Sequence, residues 1–288
     1  MNTQLIDGKA LAARLIDEIK QEVNSLKLIE KPSPTLAVIM VGEDPASAVY
    51  VRNKIRQCGY TGIRSIERLL PESCSQAQLL AVIDELNHDP QIDGILLQLP
   101  LPRHISADLC LRAIAFEKDV DGFHPYNMGL LLSGDPNALV PCTPQGCILL
   151  LQQLNISLTG KHLVMLGRSN IVGKPALLLA LQHHCTVTVV HSKSANLAEL
   201  CRQADILIVA VGQPEMVQAS WVKSGAVVID VGINRVVRDG VPLLVGDVDF
   251  AEVAPKASAI TPVPGGVGPM TIACLLRNTL QAYRCRRG

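Results

Sequence analysis

Residues 161–181, KHLVMLGRSNIVGKPALLLAL, constrain the fold more than any other part of the chain. Within them, residues 163–166 form a short continuous apolar run, which is typical of a strand buried on both faces. The run ends at Gly167, and a helical pattern resumes at Pro175, whose fixed φ suits a first helical turn. Strand, glycine turn and helix N-terminus together predict an anion site formed by free backbone N–H groups.

The turn differs from the usual dinucleotide fingerprint, G-x-G-x-x-G. Its sequence is Gly167-Arg-Ser-Asn-Ile-Val-Gly173, so Ser169 stands where the second glycine is expected. A lone glycine turn is weak support for a nucleotide site, and the residues that follow it decide the interpretation.

The end of the next predicted strand, residues 186–190, indicates which dinucleotide the turn would bind. NAD sites place an acid about 20 residues past the turn, whereas sites for a 2′-phosphate place cations and hydroxyls there. Here the strand runs into His191-Ser192-Lys193-Ser194, without an acid. Arg168 in the turn, with its planar donor fork, could converge with Ser192 and Lys193 on a phosphate. The pattern favours NADP over the alternative of a solvated, basic strand end.

Length and composition limit the class of protein. The 288 residues allow one large or two medium domains, and a formal net charge of zero gives no indication of nucleic acid or of an anionic membrane surface. No apolar run approaches the roughly 18 residues of a membrane span, and the N-terminus lacks the pattern of a signal peptide. Nine cysteines, scattered without C-x-x-C spacing, predict reduced thiols in a cytoplasmic protein. His183-His184-Cys185 is rejected as a metal site, because adjacent side chains at a helix end diverge.

Periodicity predicts alternating helices and strands along the whole chain. In the first half, the predicted helices are 7–28, a helix to about 58, 75–87 and 106–115, and the strands are 35–41, 63–69 and 94–99. In the second half, a helix that Thr143 caps runs to about 154, and the strands are 163–166, 186–190, 205–211 and 226–231, with a short edge segment at 243–248. The last helix is predicted from Pro269 to Tyr283, followed by a frayed basic tail at 284–288.

Polar residues at three places in the first half are candidates for chemistry. Tyr50 and Lys54 lie one helical turn apart, so their side chains can contact the same object, although such a pair is usually a solvated helix edge. Gln98 is the one polar residue of a buried strand and lies at its carboxyl end, where ligands collect in open α/β sheets; the alternative is a structural hydrogen bond to a loop. The loop 118–125, KDVDGFHP, joins the two halves and carries Asp119 and Asp121, which elsewhere would be solvated or capping acids.

A second loop is stiffened by its own composition. Residues 261–269, TPVPGGVGP, contain three glycines and three prolines. Such a loop can bring backbone close to a ligand without flexing, and a plain connector seldom has so many special backbone residues.

Five motifs in order give the chain a resemblance to a known family. They are YVRNK (50–54), DGILLQLPLP (93–102), KDVDGFHP (118–125), GRSNIVGKP (167–175) and PVPGGVGPMT (262–271). Over essentially its full length the chain resembles the bifunctional methylenetetrahydrofolate dehydrogenase/methenyltetrahydrofolate cyclohydrolase family, with no departure at a position used for chemistry. The resemblance implies an α/β fold of two domains with a cleft between them, the second a Rossmann-like parallel sheet.

The resemblance also implies a two-step reaction. NADP⁺ takes a hydride from 5,10-methylenetetrahydrofolate, and water then opens the methenyl cation to 10-formyltetrahydrofolate. Lys54 is implied to drive the hydrolytic step with support from Gln98, Tyr50 to stack on the folate and Asp121 to hold the pterin. The chemistry of these side chains agrees, because a lysine can act as a base, a tyrosine offers a flat face and a carboxylate accepts from neighbouring N–H donors.

Further site residues and the domain division follow from the same resemblance. The implied cofactor-binding residues are Gly167, Arg168, Ser169, Ile171, Ser192 and Ile233. The implied substrate-binding residues are Tyr50, Gln98, Leu99, Asp121, Pro262, Gly265 and Gly266. The expected domains are a catalytic, folate-binding domain at 1–139, an NADP-binding domain at 140–266, and a C-terminal helix at 267–288 that packs back on the first domain. The expected protein is a cytoplasmic homodimer of purine biosynthesis, without a metal or a nucleic-acid partner.

Two alternatives remain open at this point. One is a monofunctional dehydrogenase of the same fold that has lost the hydrolytic step; a changed Lys54 would favour it, and Lys54 is present. The other is an NADP-sensing binding module without catalysis, which predicts cofactor binding but no folate-dependent formation of NADPH.

Overall fold

The computed structural model describes residues 3–42 and 45–287, with the backbone alone for residues 45–48. The chain divides into two compact units. The six-stranded unit comprises Met1–Ala12 and Thr143–Thr271, and the three-stranded unit comprises Ala13–Cys142 and Ile272–Gly288.

Strands and helices alternate along the described residues. The strands are β1 (Gln4–Leu5), β2 (Thr35–Val41), β3 (Arg64–Leu70), β4 (Gly94–Leu97), β5 (His162–Leu166), β6 (Thr186–Val190), β7 (Ile206–Val209), β8 (Val227–Asp230), β9 (Asn234–Arg238), β10 (Val241–Val245) and β11 (Ala259–Ile260). The helices are α1 (Gly8–Leu28), α2 (Pro45–Thr61), α3 (Gln76–His88), α4 (Ala107–Ala113), α5 (Pro125–Ser133), α6 (Cys142–Gln153), α7 (Gly173–Gln182), α8 (Leu197–Arg202), α9 (Phe250–Val253) and α10 (Val267–Arg287). Short 3₁₀ turns lie at Phe116–Lys118 and Ala219–Trp221.

The three-stranded unit is built on a parallel sheet in the order β3-β2-β4. The central strand β2 is apolar along almost its whole length because both of its faces are buried. Helix α3 starts at a capping box, in which Ser75 and Gln78 satisfy each other's backbone N–H groups. Its buried face, Leu79, Ile83 and Leu86, packs in the same core as Ile39. The carboxyl ends of β2 and β4 are thereby held at one edge of the sheet.

The six-stranded unit contains a parallel sheet in the order β1-β11-β8-β7-β5-β6. From β5 the chain passes outward to β6 and then returns to β7 on the other side of β5. This reversal makes the carboxyl ends of β5 and β7 a topological switch point, the place where open α/β sheets bind ligands. The fold class expected for both units, α/β with a Rossmann-like parallel sheet in the second, is confirmed.

The expected edge segment at 243–248 is wrong. Instead, β9 and β10 form an antiparallel hairpin apart from the main sheet, and β10 ends at Val245. Asp239 and Gly240 form its turn with φ of 50° and 77°, the combination favoured in tight hairpins. The Asp-Gly pair between two apolar runs was the sequence signal for this hairpin. Helices α5, α8 and α9 were also not predicted.

The C-terminal helix also differs from its prediction. Helix α10 begins at Val267, two residues before Pro269, and continues through Arg287 rather than fraying after Tyr283. The reason is Asp93, a fully buried carboxylate whose Oδ1 accepts from Arg286 Nη1 at 3.2 Å and Arg287 Nε at 2.8 Å. Burial raises the pKa of Asp93, and the two guanidinium groups act in the opposite direction. The basic residues are therefore an anchor within the three-stranded unit.

Smaller findings concern helix starts, thiols and membrane-spanning capacity. Helix α6 starts at Cys142, so Thr143 is its second residue and not its cap. Within the described residues none of the nine cysteines forms a disulfide, and only Cys285 is exposed. Among the described residues, no helix has the length and apolar character needed to cross a membrane. The same residues contain no cluster of three or more His, Cys, Asp or Glu suited to a metal ion.

Candidate active site

Lys54 and Gln98 form the centre of the site in the three-stranded unit. Gln98 directly follows β4, and its backbone N–H donates to Ile39 O on β2 at 2.9 Å, so sheet pairing fixes its position. Lys54 Nζ on α2 donates to Gln98 Oε1 at 3.0 Å. Gln98 Nε2 donates in turn to Leu99 O at 2.6 Å, which fixes the orientation of the carboxamide. The structure therefore brings the predicted lysine and glutamine into direct contact.

Tyr50 lies one turn before Lys54 on α2. It is 42% exposed, so a face of its ring is open to contact. A half-exposed aromatic ring beside a polar cluster suits stacking on a flat heterocycle.

The first two residues of the KDVDGFHP loop are structural. Lys118 is 3% exposed, and its Nζ donates to the carbonyl oxygens of Leu86, Asn87 and Asp89 at 2.7–2.8 Å. Burial lowers the pKa of Lys118 to about 8. The lysine thus ties the loop to the last turn of α3, where unpaired carbonyls favour a cation.

Asp119 is also structural. It is 1% exposed, and its Oδ2 accepts from His124 N at 2.8 Å and from Asn127 Nδ2 at 3.0 Å. Burial raises its pKa, while these hydrogen bonds to the carboxylate lower it. Of the two acids in this loop, Asp119 therefore holds the loop together.

Asp121 has a different environment. It keeps part of its surface accessible, although the surrounding protein raises the pKa of Asp121 to about 6. The Lys54 ammonium lowers this pKa, and the Asp119 carboxylate raises it further. Asp121 is therefore an electrostatic neighbour of Lys54, and the structure brings together three of the predicted side chains: Lys54, Gln98 and Asp121.

The peptide before Asp121 is held by residues that sequence reasoning missed. Asn278 on α10 is fully buried and donates through Nδ2 to Val120 O and Val140 O, both at 2.8 Å. At Gly122 the φ is +73°, and a Cβ there would lie 2.5 Å from Leu139 O, so only glycine fits. A polar asparagine inside the apolar pattern of the last helix was the available signal for this contact.

The glycine turn of the six-stranded unit is shaped by close backbone contacts. Gly167 follows β5 with φ of +124°, and a Cβ on it would lie 2.2 Å from Ala210 O. A Cβ on Gly173 would lie 2.4 Å from Gly167 O. Both glycines are therefore needed for the turn to fold this tightly, which is the cradle that a pyrophosphate requires.

Ser169 changes the predicted anion site. Its Oγ accepts from Val172 N at 3.1 Å and from Gly173 N at 3.3 Å. The prediction of free N–H groups at the start of α7 is therefore wrong for these two groups. Because a hydroxyl that accepts can still donate, Ser169 presents an O–H donor from the same place.

Arg168 and Ser192 are related by the strand register. Leu166 pairs with Val190 across β5 and β6, and Arg168 and Ser192 each lie two residues beyond these paired ends. Both are exposed, as is Lys193, and Ile171 is 42% exposed in the same turn. Parallel pairing therefore places the predicted cation and hydroxyl at the same edge of the sheet.

Ile233 and the glycine–proline loop belong to the same unit as the glycine turn. Ile233 is 43% exposed. Its Cδ1 lies close to Gly268, where an added Cβ would be 3.5 Å away from it. In the loop, Gly266 N donates to Pro262 O at 2.9 Å, closing a tight turn. Gly265 O accepts from Lys9 N at 3.1 Å at the start of α1. Backbone hydrogen bonds thus hold Gly265 and Gly266 of this loop.

Sequence reasoning missed two further residues near Ile233. Asp230, the last residue of β8, and Asp247, just after β10, are 3% and 0% exposed. Each accepts several backbone N–H groups from the loops at the carboxyl edge of the sheet. The signal was an acid at the end of each of two apolar runs, VVID and LLVGD.

A glycine turn at the switch point of a parallel sheet defines the class of dinucleotide-binding α/β proteins. Residues 141–287 match the family model "Tetrahydrofolate dehydrogenase/cyclohydrolase, NAD(P)-binding domain", and residues 6–121 match the model for the catalytic domain. The chain belongs to the tetrahydrofolate dehydrogenase/cyclohydrolase family, as its motifs predicted.

Similar proteins cover the chain from end to end. "Bifunctional protein FolD 2" of Pseudomonas syringae is 58% identical over 284 residues, which are 99% of this chain and 94% of that protein. The crystal structure of bifunctional FolD from Campylobacter jejuni has a TM-score of 0.94 at 48% identity and covers 99% of both chains. The Trypanosoma brucei FolD structure, complexed with NADP cofactor and inhibitor, has a TM-score of 0.95 at 38% identity and covers 100% of both chains.

Proposed function

We propose that this chain oxidises 5,10-methylenetetrahydrofolate with NADP⁺ and hydrolyses the resulting 5,10-methenyltetrahydrofolate to 10-formyltetrahydrofolate. Membership of the family and full-length similarity to bifunctional relatives support both activities. The observation that carries the hydrolytic half is the 3.0 Å contact between Lys54 Nζ and Gln98 Oε1, with Asp121 as electrostatic neighbour. A changed Lys54 would have favoured a monofunctional dehydrogenase, and Lys54 is present.

The glycine turn fits the cofactor. At both Gly167 and Gly173 a Cβ would collide with backbone, so the turn leaves the space that a pyrophosphate needs. Residues that would hold NADP are Gly167, Arg168, Ser169, Ile171 and Ser192, with Ile233 at the nicotinamide. When bound, NADP⁺ supplies the hydride acceptor, and the protein supplies position and electrostatics.

Lys54 and Gln98 serve the hydrolytic step. The carboxamide of Gln98 accepts one N–H of the lysine and thereby orients Nζ, because its own Nε2 is held by Leu99 O. In its neutral form Nζ can take a proton from the attacking water, and as the ammonium it can return one to the leaving nitrogen. The neighbouring Asp121 carboxylate partly offsets the positive charge of the site when it is ionised.

The remaining residues hold the folate. Tyr50 offers an open ring face to the pterin, and Asp121 accepts from its neighbouring N–H donors. Leu99 adds an apolar contact next to Gln98. The glycine–proline loop, with Pro262, Gly265 and Gly266, lines the substrate with backbone that approaches closely.

Domain roles and assembly are part of the proposal. The proposed folate-binding catalytic domain is residues 1–139, although residues 1–12 group with the six-stranded unit; residues 140–266 are the proposed NADP-binding domain, and the helix at 267–288 supports the first. A homodimer is supported by the β9–β10 hairpin, which exposes Val237, Val241, Leu243 and Leu244. Sedimentation of the wild type and of Leu244→Lys at micromolar protein concentration measures whether the chain dimerises through this hairpin.

The proposed setting is purine biosynthesis in the cytoplasm, because 10-formyltetrahydrofolate is a donor of one-carbon units.

One spectrophotometric experiment tests the function. Methylenetetrahydrofolate and NADP⁺ are mixed with the purified chain, and NADPH formation is followed by absorbance. Methenyltetrahydrofolate is then added alone, without NADP⁺, and its disappearance is followed in the same way. Catalysis of both reactions is expected. Cofactor binding without folate-dependent NADPH would favour the binding module, and NADPH without accelerated hydrolysis would favour a monofunctional dehydrogenase.

A further inference from the structure

Two buried aspartates lie beneath the loops that follow β7 and β8 in the six-stranded unit. Asp230 and Asp247 are 3% and 0% exposed. Among the described residues, no lysine, arginine or histidine forms an ion pair with either carboxylate. A buried carboxylate without a cation is costly unless hydrogen bonds compensate for the lost hydration, so its partners indicate its purpose.

Asp247 gathers the turn that follows β7. Its Oδ2 accepts from Val211 N at 2.7 Å and from Gly212 N at 3.0 Å. Its Oδ1 accepts from Gln213 N at 3.0 Å and from Asn234 Nδ2 at 2.8 Å. One carboxylate thus joins three successive backbone amides after β7 to a side chain from the start of β9.

Asp230 fixes the residues on the other side of Ile233. Its Oδ1 accepts from Gly232 N at 2.9 Å and from Asp247 N at 3.0 Å, and its Oδ2 accepts from Val248 N at 2.9 Å. Asp230 therefore holds Asp247 in place as well as the peptide that leads into Ile233.

Glycines make room for both carboxylates. A Cβ on Gly232 would lie 2.3 Å from Asp247 Oδ1, and a Cβ on Gly246 would lie 1.8 Å from Asp230 Oδ2. The two aspartates and two glycines therefore form one packed unit. Burial raises the pKa of Asp230 to about 7, and its hydrogen bonds to backbone N–H groups lower it.

We propose that Asp230 and Asp247 are positioning residues for the dehydrogenase reaction, an inference that rests on the proposed function. Ile233 stands between Gly232, whose N–H is held by Asp230, and Asn234, whose side chain is held by Asp247. The two carboxylates thus bracket the one residue expected at the nicotinamide. Asp247 also orients the amides of residues 211–213 beside the switch point, where the cofactor is expected to bind.

Asp247→Asn tests the inference, because it keeps the shape of the side chain and replaces one acceptor oxygen with a donor. Whichever way the amide turns, two N–H donors then face its NH₂ group. The KM for NADP⁺ is expected to rise and the dehydrogenase kcat to fall, together costing about 10- to 100-fold in kcat/KM. The loss should be equal for NADP⁺ and NAD⁺, because the aspartate holds backbone and not the 2′-phosphate. Hydrolysis of added methenyltetrahydrofolate should stay within about twofold of wild type.

Asp249→Asn is the matched control. Asp249 lies two residues away and only caps α9, where its Oδ1 accepts from Glu252 N at 3.1 Å. Both activities of this variant should match the wild type. Gly232→Ala is an independent second variant, because its new methyl group would meet both the carboxylate and the backbone N of Asp247 and so displaces Asp247 without replacing it. It should show the same selective dehydrogenase loss.

Three results would overturn the inference. The first is wild-type dehydrogenase kinetics in Asp247→Asn. The second is a parallel loss of both activities, and the third is unfolding of both test variants. Either of the last two results would assign the aspartates to stability alone. Thermal denaturation of each variant separates these cases. A wild-type protein without dehydrogenase activity would instead contradict the proposed function itself.

Discussion

The two candidate sites of this protein use different parts of the polypeptide. In the three-stranded unit the chemistry lies in side chains, where Lys54 contacts Gln98 and neighbours Asp121. In the six-stranded unit it lies mainly in backbone, where Gly167 and Gly173 allow a turn that no other residue could form. The difference fits the two proposed tasks, because moving a proton requires a titratable group, whereas binding a pyrophosphate requires oriented N–H dipoles and space.

Buried acids show the same contrast. Asp121 keeps an accessible surface and has a pKa raised to about 6, so it can respond to a ligand. Asp230 also has a raised pKa but is enclosed by backbone N–H groups. A raised pKa therefore belongs to an accessible candidate binding group in one unit and to an enclosed structural group in the other. Substitutions in the two units should accordingly separate the two reactions.

The largest separation is expected from Lys54→Met. This change removes the donor from Gln98 but keeps the helix and most of the stem's packing. Loss of general acid–base assistance costs about 10²- to 10⁴-fold, so hydrolysis of methenyltetrahydrofolate should approach the uncatalysed rate. Dehydrogenase activity should fall less, because hydride transfer requires no proton at Nζ.

Both reactions should be measured on the same preparation, with Arg56→Met as the control. Arg56 is an exposed cation on the same helix and should be replaceable within a few-fold. Hydrolysis at the wild-type rate in Lys54→Met would show that the lysine is only a solvated helix residue. The comparison between a side-chain site and a backbone site would then lose its first member.

Arg168→Ala should act only on the dinucleotide side. A charge-assisted hydrogen bond contributes roughly 1.5–3 kcal/mol, so the KM for NADP⁺ should rise about 10- to 100-fold. Kinetics with NAD⁺ should hardly change, since NAD⁺ lacks the 2′-phosphate. The exposed Arg202 on α8 provides the matched control as Arg202→Ala. Equal losses with both dinucleotides would make Arg168 a structural residue and contradict NADP selection at this edge.

Asp121→Asn should weaken folate binding about tenfold and leave NADP⁺ affinity unchanged, because the carboxamide keeps only part of the acceptor capacity. Separate titrations of the two ligands measure this. A matched loss for both ligands would indicate a general distortion of the protein instead.

The wild-type pH dependence checks the same carboxylate. Burial raises the pKa of Asp121 to about 6, so lowering the pH through 6 protonates it and removes an acceptor. Folate affinity should therefore fall about twofold at pH 6 and further below it. Asp121→Asn should bind folate with a flatter pH profile; an unchanged slope would assign the titration to another group.

The smallest effect is expected from Gly59→Ala. Gly59 lies inside α2, which continues past it to Thr61, and an added Cβ would meet nothing within 4 Å. The helix therefore continues beyond residue 58, where its end was predicted. Alanine should raise the free energy of unfolding by about 0.5–1 kcal/mol, because glycine loses more backbone entropy. Urea denaturation measures the gain, and a changed rate of hydrolysis would show that helix flexibility matters to Lys54.

Local patterns in the sequence were sufficient for much of the fold and for the centre of the site. Strands β2 and β6 have the bounds that were predicted, 35–41 and 186–190, because runs of apolar and β-branched residues favour an extended strand. The glycine turn was recognisable because glycine spacing reflects a backbone constraint. The hydrogen bond between Lys54 and Gln98 agrees with the roles that the family resemblance implied for them.

Other features depended on contacts between distant parts of the chain. Asp119 and Asp121 are both acids of one loop, and only their surroundings show that the first is structural and the second accessible. Arg286 remains helical because it meets Asp93, 193 residues earlier. Side-chain patterns do not record such partners.

The sequence by itself determined most of the strands and helices, the glycine turn after β5 and the candidate side chains Lys54, Gln98 and Asp121, because each depends on neighbouring residues. The tertiary structure decided which of these groups meet. Strand pairing aligned Arg168 with Ser192, and burial left Asp247 with only N–H groups as partners. The physical reason is that hydration, charge pairing and register depend on the folded environment and not on the residue alone.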